Sequence, residues 1–390
     1  MSPCHLARLI SIVAAALLLA ACAASAPPAA PQTRLTVAEA LAGSNQQGFA
    51  KATEPRPFVF PQDHGPHQEY ATEWWYYTGN LDAADGRHFG YQLTFFRFAL
   101  APDKPQRPSD WATSNIYMAH FALTDVAGKQ FHAFERFSRD GAGLAGATGD
   151  PFRVWLESWS AAGQGADGLP MRLHAAQADV AIDLTLERGK PVVLQGDHGL
   201  SQKSAEPGNA SYYYSLTRMP TSGAIQLGGM RFEVSGLSWM DREWSTSALA
   251  PDQVGWDWFA LQLSDGRDLM SFQLRLRDGR SDPYSAGTLV SADGTARTLH
   301  ADEITLTPEG TWQSPRDGAS YPATWRLQVP SANIDLRLTP YLADQELPLS
   351  VAYWEGAVQI EGTAGGQPVG GSGYIEMTGY ADQPSAVRVR

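Results

Sequence analysis

Alternation of apolar and polar positions is the dominant signal along this chain. Phe89, Tyr91, Leu93 and Phe95 alternate with Gly90, Gln92 and Thr94, the period-two signature of a half-buried strand. Asp85-Gly86 supplies the turn before it, and Asp125-Val126-Ala127-Gly128 separates two further apolar runs at 117–123 and 130–134; both read as hairpins. Short strands are predicted at 153–159, 171–174, 180–187, 211–218, 229–236, 256–263, 269–277, 287–290, 324–329, 334–339, 351–361 and 372–380, with flexible loops at 161–168 and 362–371. Strands that recur about every ten residues with turn residues between them predict sandwiches or barrels. No long amphipathic helix is predicted; residues 35–41 (LTVAEAL) make one or two turns at most.

One pattern occurs twice. Trp74-Trp75-Tyr76-Tyr77, Leu81, Asp85-Gly86-Arg87 and Gln92-Leu93 find counterparts in Trp256-Asp257-Trp258-Phe259, Leu263, Asp265-Gly266-Arg267 and Gln273-Leu274. Chance likeness between hairpins is one reading. The other is a duplication, which predicts an all-β chain of two tandem β-domains, residues 55–240 and 241–390.

The amino terminus reads as an address and an anchor. Arg8 precedes a short apolar run, residues 9–19, that ends in Leu19-Ala20-Ala21-Cys22. The run has the proportions of a signal peptide and is too short to span a bilayer comfortably. The tetrad resembles the bacterial lipobox, which predicts cleavage after residue 21 and lipidation of Cys22; an ordinary secretory signal cut after Ala24 or Ala26 is the alternative. Several acyl chains on one residue anchor stably. Ala23, not an acid, follows the cysteine; the resemblance to Gram-negative lipoproteins implies the outer membrane, facing the periplasm, as the expected location. Residues 22–54 then form a tether whose first part, AASAPPAAPQTR, is rich in Ala and Pro and solvated.

Composition narrows the partners. With 41 acidic against 29 basic residues among 390, the chain repels phosphate backbones, so no nucleic-acid partner is expected. Aromatics reach 11% with 12 Trp, which argues against disorder and fits β-domains holding a hydrophobic small molecule. There is no Gly-x-Ser-x-Gly elbow, phosphate loop or Rossmann fingerprint, so neither a serine nucleophile nor a cofactor is expected. Asp63, His64 and His67 sit in a Gly/Pro loop without a strong metal-ligand spacing. They read as a loop capping a barrel or a proton relay, with no metal. His120 and His132 lie on neighbouring predicted strands and read as a cross-strand pair.

Several blocks in order carry a family resemblance: Asp63-His64-Gly65-Pro66-His67, Glu73-Trp74-Trp75-Tyr76-Tyr77-Thr78-Gly79-Asn80-Leu81, Trp239-Met240-Asp241-Arg242-Glu243-Trp244, Trp256-Asp257-Trp258, Tyr353-Trp354-Glu355-Gly356-Ala357-Val358 and residues 373–380 (GYIEMTGY). Over residues 55–385 the chain resembles the AttH/carotenoid 1,2-hydratase family. The resemblance implies two lipocalin-like β-domains. It implies either a binding module for an isoprenoid- or lipid-like molecule or, alternatively, a hydro-lyase that adds water to an isoprenoid double bond. At Met240-Asp241-Arg242-Glu243 the chain departs from the histidine-containing stretch of the hydratases, which bears on the second function.

Hydration of such a bond needs a protonated acid, stabilisation of a tertiary cation, and water. Asp257 is the first candidate acid, since alternation places it with Phe259, Leu261 and Leu263 while Trp256 and Trp258 point the other way. A carboxyl on an apolar face is protonated, paired or reactive, and an ion pair with Arg242 or Arg267 is the structural alternative. Asp241 and Glu243 project to one side of their strand and are the second pair of candidates. Glu73, Trp75, Tyr77, Trp239, Trp256, Trp258, Tyr353 and Glu355 are the expected ligand-binding residues, with Tyr374 and Glu376 sharing a face of the last strand.

Overall fold

The computed structural model describes residues 47–102, 109, 112–246 and 249–381; Cys22, most of the tether and the predicted turns at 35–41 lie outside them. Thirteen strands form the first sheet: Thr72–Ala83 (β1), His88–Ala99 (β2), Asn115–Asp125 (β3), Gln130–Arg139 (β4), Ala145–Gly149 (β5), Phe152–Leu156 (β6), Trp159–Gly163 (β7), Met171–Gln177 (β8), Val180–Leu186 (β9), Val193–Leu194 (β10), Leu200–Gln202 (β11), Ala210–Leu227 (β12) and Met230–Ser245 (β13). Ten form the second: Gln253–Leu263 (β14), Asp268–Leu276 (β15), Ala286–Val290 (β16), Ala296–His300 (β17), Thr305–Gln313 (β18), Ser320–Val329 (β19), Ile334–Pro340 (β20), Glu346–Pro348 (β21), Ala352–Ala364 (β22) and Gln367–Met377 (β23). Each sheet curls on itself in the manner of a barrel. In each, the first strand pairs antiparallel with the last, β1 with β13 and β14 with β23.

The duplicated sequence pattern therefore occupies equivalent places, the opening strands β1 and β14. Both are buried on both faces, and their parity divides the aromatic blocks in the same way. Trp75, Tyr77 and Leu81 enter the apolar core of the first barrel with Phe89, Leu93 and Trp159. Phe259, Leu261 and Leu263 enter the core of the second with Trp325 and Ile375. The opposite parity, Tyr76 on β1 and Trp258 and Ala260 on β14, meets across the seam between the sheets in a third apolar cluster with Tyr213, Trp239, Phe272 and Ala357.

Hydrogen bonds stitch that seam. Asn80 donates to the Gly373 carbonyl at 3.1 Å, Gln262 to the carbonyls of Thr217 and Ser238, and Thr124 to Gln345 at 2.7 Å. Lys190 and Arg218 both pair with buried Asp268. At Gly90 the sheets come so close that a Cβ would lie 2.4 Å from the Ala357 Cβ.

Local chemistry explains where the predicted elements shift. The expected strand 153–159 breaks into a hairpin at Glu157, which adopts φ 54°. The expected loop at 362–371 is instead the tight end of the β22–β23 hairpin, with Ala364 opposite Gln367 and both Gly365 and Gly366 at positive φ, the conformation a two-residue turn of that hand requires. His120 and His132 do not pair: His120 faces Glu135, and His132 faces Leu123.

Candidate functional site

A cavity of about 140 Å³ opens in the seam, walled by the outward parity of both barrels. Trp74, Tyr76, Phe96 and Met118 come from the first sheet, and Trp256, Trp258, Phe272 and Leu274 from the second. Trp74, Trp256, Leu249 and Lys203 are half-buried and form its rim. Four carboxyls face this aromatic space: Asp241 and Glu243 from β13, Glu355 from β22 and Glu376 from β23.

The carboxyls differ in environment. Asp241 accepts hydrogen bonds from the hydroxyls of Tyr213 and Ser215 and, at 2.7 Å, from Trp239 Nε1; the Trp258 indole in turn donates to the Tyr213 oxygen at 3.1 Å. Burial pushes Asp241 up to about 7 despite those three donors. Glu243 is held by the Ser211 hydroxyl and by Lys203 Nζ at 3.2 Å, and that ammonium also lies 4.3 Å from the Phe272 ring centre. Glu355 and Glu376 stand directly opposite each other in the β22–β23 ladder, where side chains are about 5 Å apart and like charges oppose each other. Burial, reinforced by the facing carboxylate, carries Glu355 well above the usual range, and burial carries Glu376 to about 8. Tyr76 donates to Glu355 Oε1, and Oε2 has no hydrogen-bonding partner. At neutral pH this pair holds at least one proton in an apolar, aromatic space.

Of the sequence candidates, the seam brings together Asp241, Glu243, Trp256, Trp258, Tyr353 and Glu355, with Trp239 behind Asp241. The others lie elsewhere. Asp257 shares a face with Phe259, as alternation requires, and that face is the interior of the second barrel. There it pairs with Arg275 at 3.2 Å, rather than with Arg242 or Arg267, and accepts from Tyr380 at 3.0 Å. Burial raises Asp257 to about 6, against the pull of Arg275, but the carboxyl lies outside the cavity. Trp75 and Tyr77 are filled into the first barrel core.

Glu73 closes the end of that barrel in a fully buried ion group with Arg97 and Arg242. Burial opposes its charge, yet the two guanidiniums hold it well below the usual range. The loop of Asp63, His64 and His67 plugs the same end. His67 stacks on Trp244 at 3.7 Å and bonds Asp63 at 2.9 Å, while Trp75 Nε1 donates to the His64 carbonyl. No cluster of His, Cys, Asp and Glu suited to a metal ion occurs among the described residues.

Among the cavity residues that were not site candidates in the sequence are Tyr213 and Lys203, which carry no motif of their own, and His120, which read only as half of a cross-strand pair. Glu376 was visible only as a face-mate of Tyr374.

The fold has solved relatives. Kievitone hydratase of Nectria haematococca matches with a TM-score of 0.64 at 18% identity, over 86% of this chain and 99% of that one. CghA matches with a TM-score of 0.51 at 13% identity, over 87% and 98%. Both are likenesses of fold alone. An AttH protein of Nitrosomonas europaea is nearer, with a TM-score of 0.75 at 35% identity over 85% of this chain and 100% of that one. No curated protein sequence matches. The AttH-like family model spans residues 51–380, both barrels and the seam between them. With a solved relative aligned over its entire length, the two-barrel architecture and its aromatic blocks have one source: the chain belongs to the AttH-like family.

Proposed function

We propose that the chain binds an apolar, unsaturated small molecule in the seam cavity and adds water across a carbon–carbon double bond by acid catalysis. The observation that carries this reading is the Glu355–Glu376 pair, protonated at neutral pH and facing aromatic walls. An apolar cavity of about 150 Å³ holds a benzene ring, so a cavity of this size suits a ring or a branched five-carbon end, with the rest of the guest passing the half-buried rim. The pair gives a proton to one alkene carbon. The cation formed at the other lies among the π faces of Tyr76, Trp258 and Phe272. Water then forms the new C–O bond and yields its extra proton to a group on the wall. The fold of kievitone hydratase, a hydratase by name, is consistent with this chemistry.

A pure binding module is the second reading, favoured by the saturation of Asp241 with three donors. Incubation with dimethylallyl-substituted phenols and short isoprenoids in heavy-oxygen water separates the two. Hydration gives labelled tertiary alcohol that Glu355→Gln and Glu376→Gln abolish. Quenching of tryptophan fluorescence by the same compounds, with no label incorporated by the wild type, leaves binding alone. We further infer that the chain works as a periplasm-facing lipoprotein anchored at Cys22, which the segment Leu19-Ala20-Ala21-Cys22 supports. Uptake of a palmitate analogue by a Cys22→Ala variant would refute the anchor.

A further inference from the structure

Hydration needs a base as well as an acid, and the acid pair has a neighbour suited to the task. Tyr353 lies on the same face of β22 as Glu355, two residues away, and both line the cavity. Positions i and i+2 on a strand are about 7 Å apart, which leaves room for an alkene carbon and a water between them. The Tyr353 hydroxyl lies 2.7 Å from His120 Nδ1, and His120 Nε2 lies 3.0 Å from Glu135 Oε1. Glu135 also accepts from Ser350 at 2.6 Å, and its side chain is 16% exposed while His120 is buried. The Phe96 ring lies 5.4 Å from the imidazole.

The hydrogen bonds join the cavity to the surface through Glu135. Burial works against the Glu135 charge, but its bonds to His120 and Ser350 hold it below the usual range, so it is an ionised acceptor. An ionised Glu135 takes the hydrogen on His120 Nε2, and in a neutral imidazole this leaves Nδ1 as an acceptor for the Tyr353 hydroxyl. With its hydrogen turned to His120 and Gln92 also at its oxygen, Tyr353 keeps one lone pair for the cavity it lines.

We propose that Tyr353, backed by His120 and Glu135, is the base that takes the proton from the attacking water, and that Glu135 opens this relay to solvent. The proposal rests on the hydration reading. As the water oxygen bonds to the cationic carbon, one of its O–H bonds breaks. That proton passes to the Tyr353 oxygen while the tyrosine's own proton moves to His120 Nδ1. An imidazolium paired with Glu135 results. It loses its Nε2 proton to solvent water through Glu135; on the return a solvent proton re-enters at Nε2, the Nδ1 hydrogen passes back to Tyr353 and the tyrosine's passes through cavity water to the Glu355–Glu376 pair, which restores both the resting tautomer and the acid. Tyr353 is the catalytic group; His120 and Glu135 are positioning residues.

The test uses the full chain labelled with nitrogen isotope in histidine, the His120 signals being assigned by their loss in His120→Gln. At neutral pH the expected spectrum is a neutral imidazole with hydrogen on Nε2 and an Nδ1 signal that Tyr353→Phe shifts. An imidazolium, hydrogen on Nδ1, or an Nδ1 signal indifferent to Tyr353→Phe overturns the proposal whatever the substrate. In the heavy-oxygen assay with a dimethylallyl phenol, Tyr353→Phe and His120→Gln lower kcat by about 100-fold or more with KM nearly constant. Glu135→Gln loses less, and Asp257→Asn, outside the cavity, loses nothing. An active wild type with an equally active Tyr353→Phe overturns the base and spares the hydration reading. An inactive wild type overturns that reading and the base with it.

Discussion

Asp241→Asn tests the electrostatics of the seam directly. In the folded chain Asp241 holds its proton up to about pH 7, against an ordinary value of 3.8. Between those two pH values the folded state binds one more proton than the unfolded state, so stability falls as pH rises through the interval. The slope is at most about 1.4 kcal/mol per pH unit, which integrates to about 3 kcal/mol from pH 4 to pH 7, about 2 of it between pH 5 and pH 7. Asparagine has the same shape, carries no proton to lose, and still offers an oxygen to Trp239 and Ser215. The variant should therefore match the wild type near pH 4 and exceed it by several kcal/mol at pH 7 to 8. Urea unfolding followed by tryptophan fluorescence at pH 4, 5, 6, 7 and 8 gives both curves. A constant offset between wild type and variant across that range would show that Asp241 ionises normally and would refute the account of the cavity as a place where carboxyls stay neutral.

Three other substitutions check separate parts of the structure. Glu73→Ala leaves Arg97 and Arg242 buried without their carboxylate and should cost about 3–5 kcal/mol in the same unfolding assay; a loss under about 1 kcal/mol would mean that the guanidiniums find other partners. Gly90→Val drives a side chain into Ala357 and should destabilise by about 1–3 kcal/mol, a loss that Ala357→Gly partly restores if the two positions touch as described. Asp257→Asn should leave the quenching of tryptophan fluorescence by an apolar guest unchanged, because the carboxyl lies inside the second barrel; a severalfold weaker guest would place Asp257 in the cavity after all.

The all-β architecture was legible in the sequence because alternation and turn chemistry are local. The Trp-Trp-Tyr-Tyr and Trp-Asp-Trp-Phe blocks announced strands, and their parity correctly separated Trp256 and Trp258 from Asp257. What alternation cannot say is which parity faces a cavity when both faces are apolar, as they are on β1 and β14. That ambiguity placed Trp75, Tyr77 and Asp257 among the site candidates although they belong to barrel interiors. Asp241 and Glu243 could be placed together because alternation projects positions i and i+2 to one side of a strand. His120 and Glu376 were not legible as site residues, since each becomes significant only through a partner from another strand: Tyr353 across the seam in one case, Glu355 across the ladder in the other.

Stability alone does not account for the seam. Two barrels joined face to face are held well by leucines and phenylalanines, and buried ionisable groups replaced by apolar ones of similar volume often leave a protein as stable or more so. Here the joint already has its specific fasteners in Asn80, Gln262, Thr124 and the Asp268 ion pairs. Glu355 adds the bond from Tyr76 and Asp241 holds three donors, yet each of the three carboxyls that burial keeps protonated lowers stability as the pH rises from its ordinary value to its raised one. Glu355 goes further, leaving one oxygen without any partner in an otherwise apolar space, a cost of about 1–3 kcal/mol for an unsatisfied buried polar atom. A group that stays protonated at neutral pH and keeps an unoccupied oxygen beside an aromatic cavity has the properties that the proposed proton transfer to a guest would use.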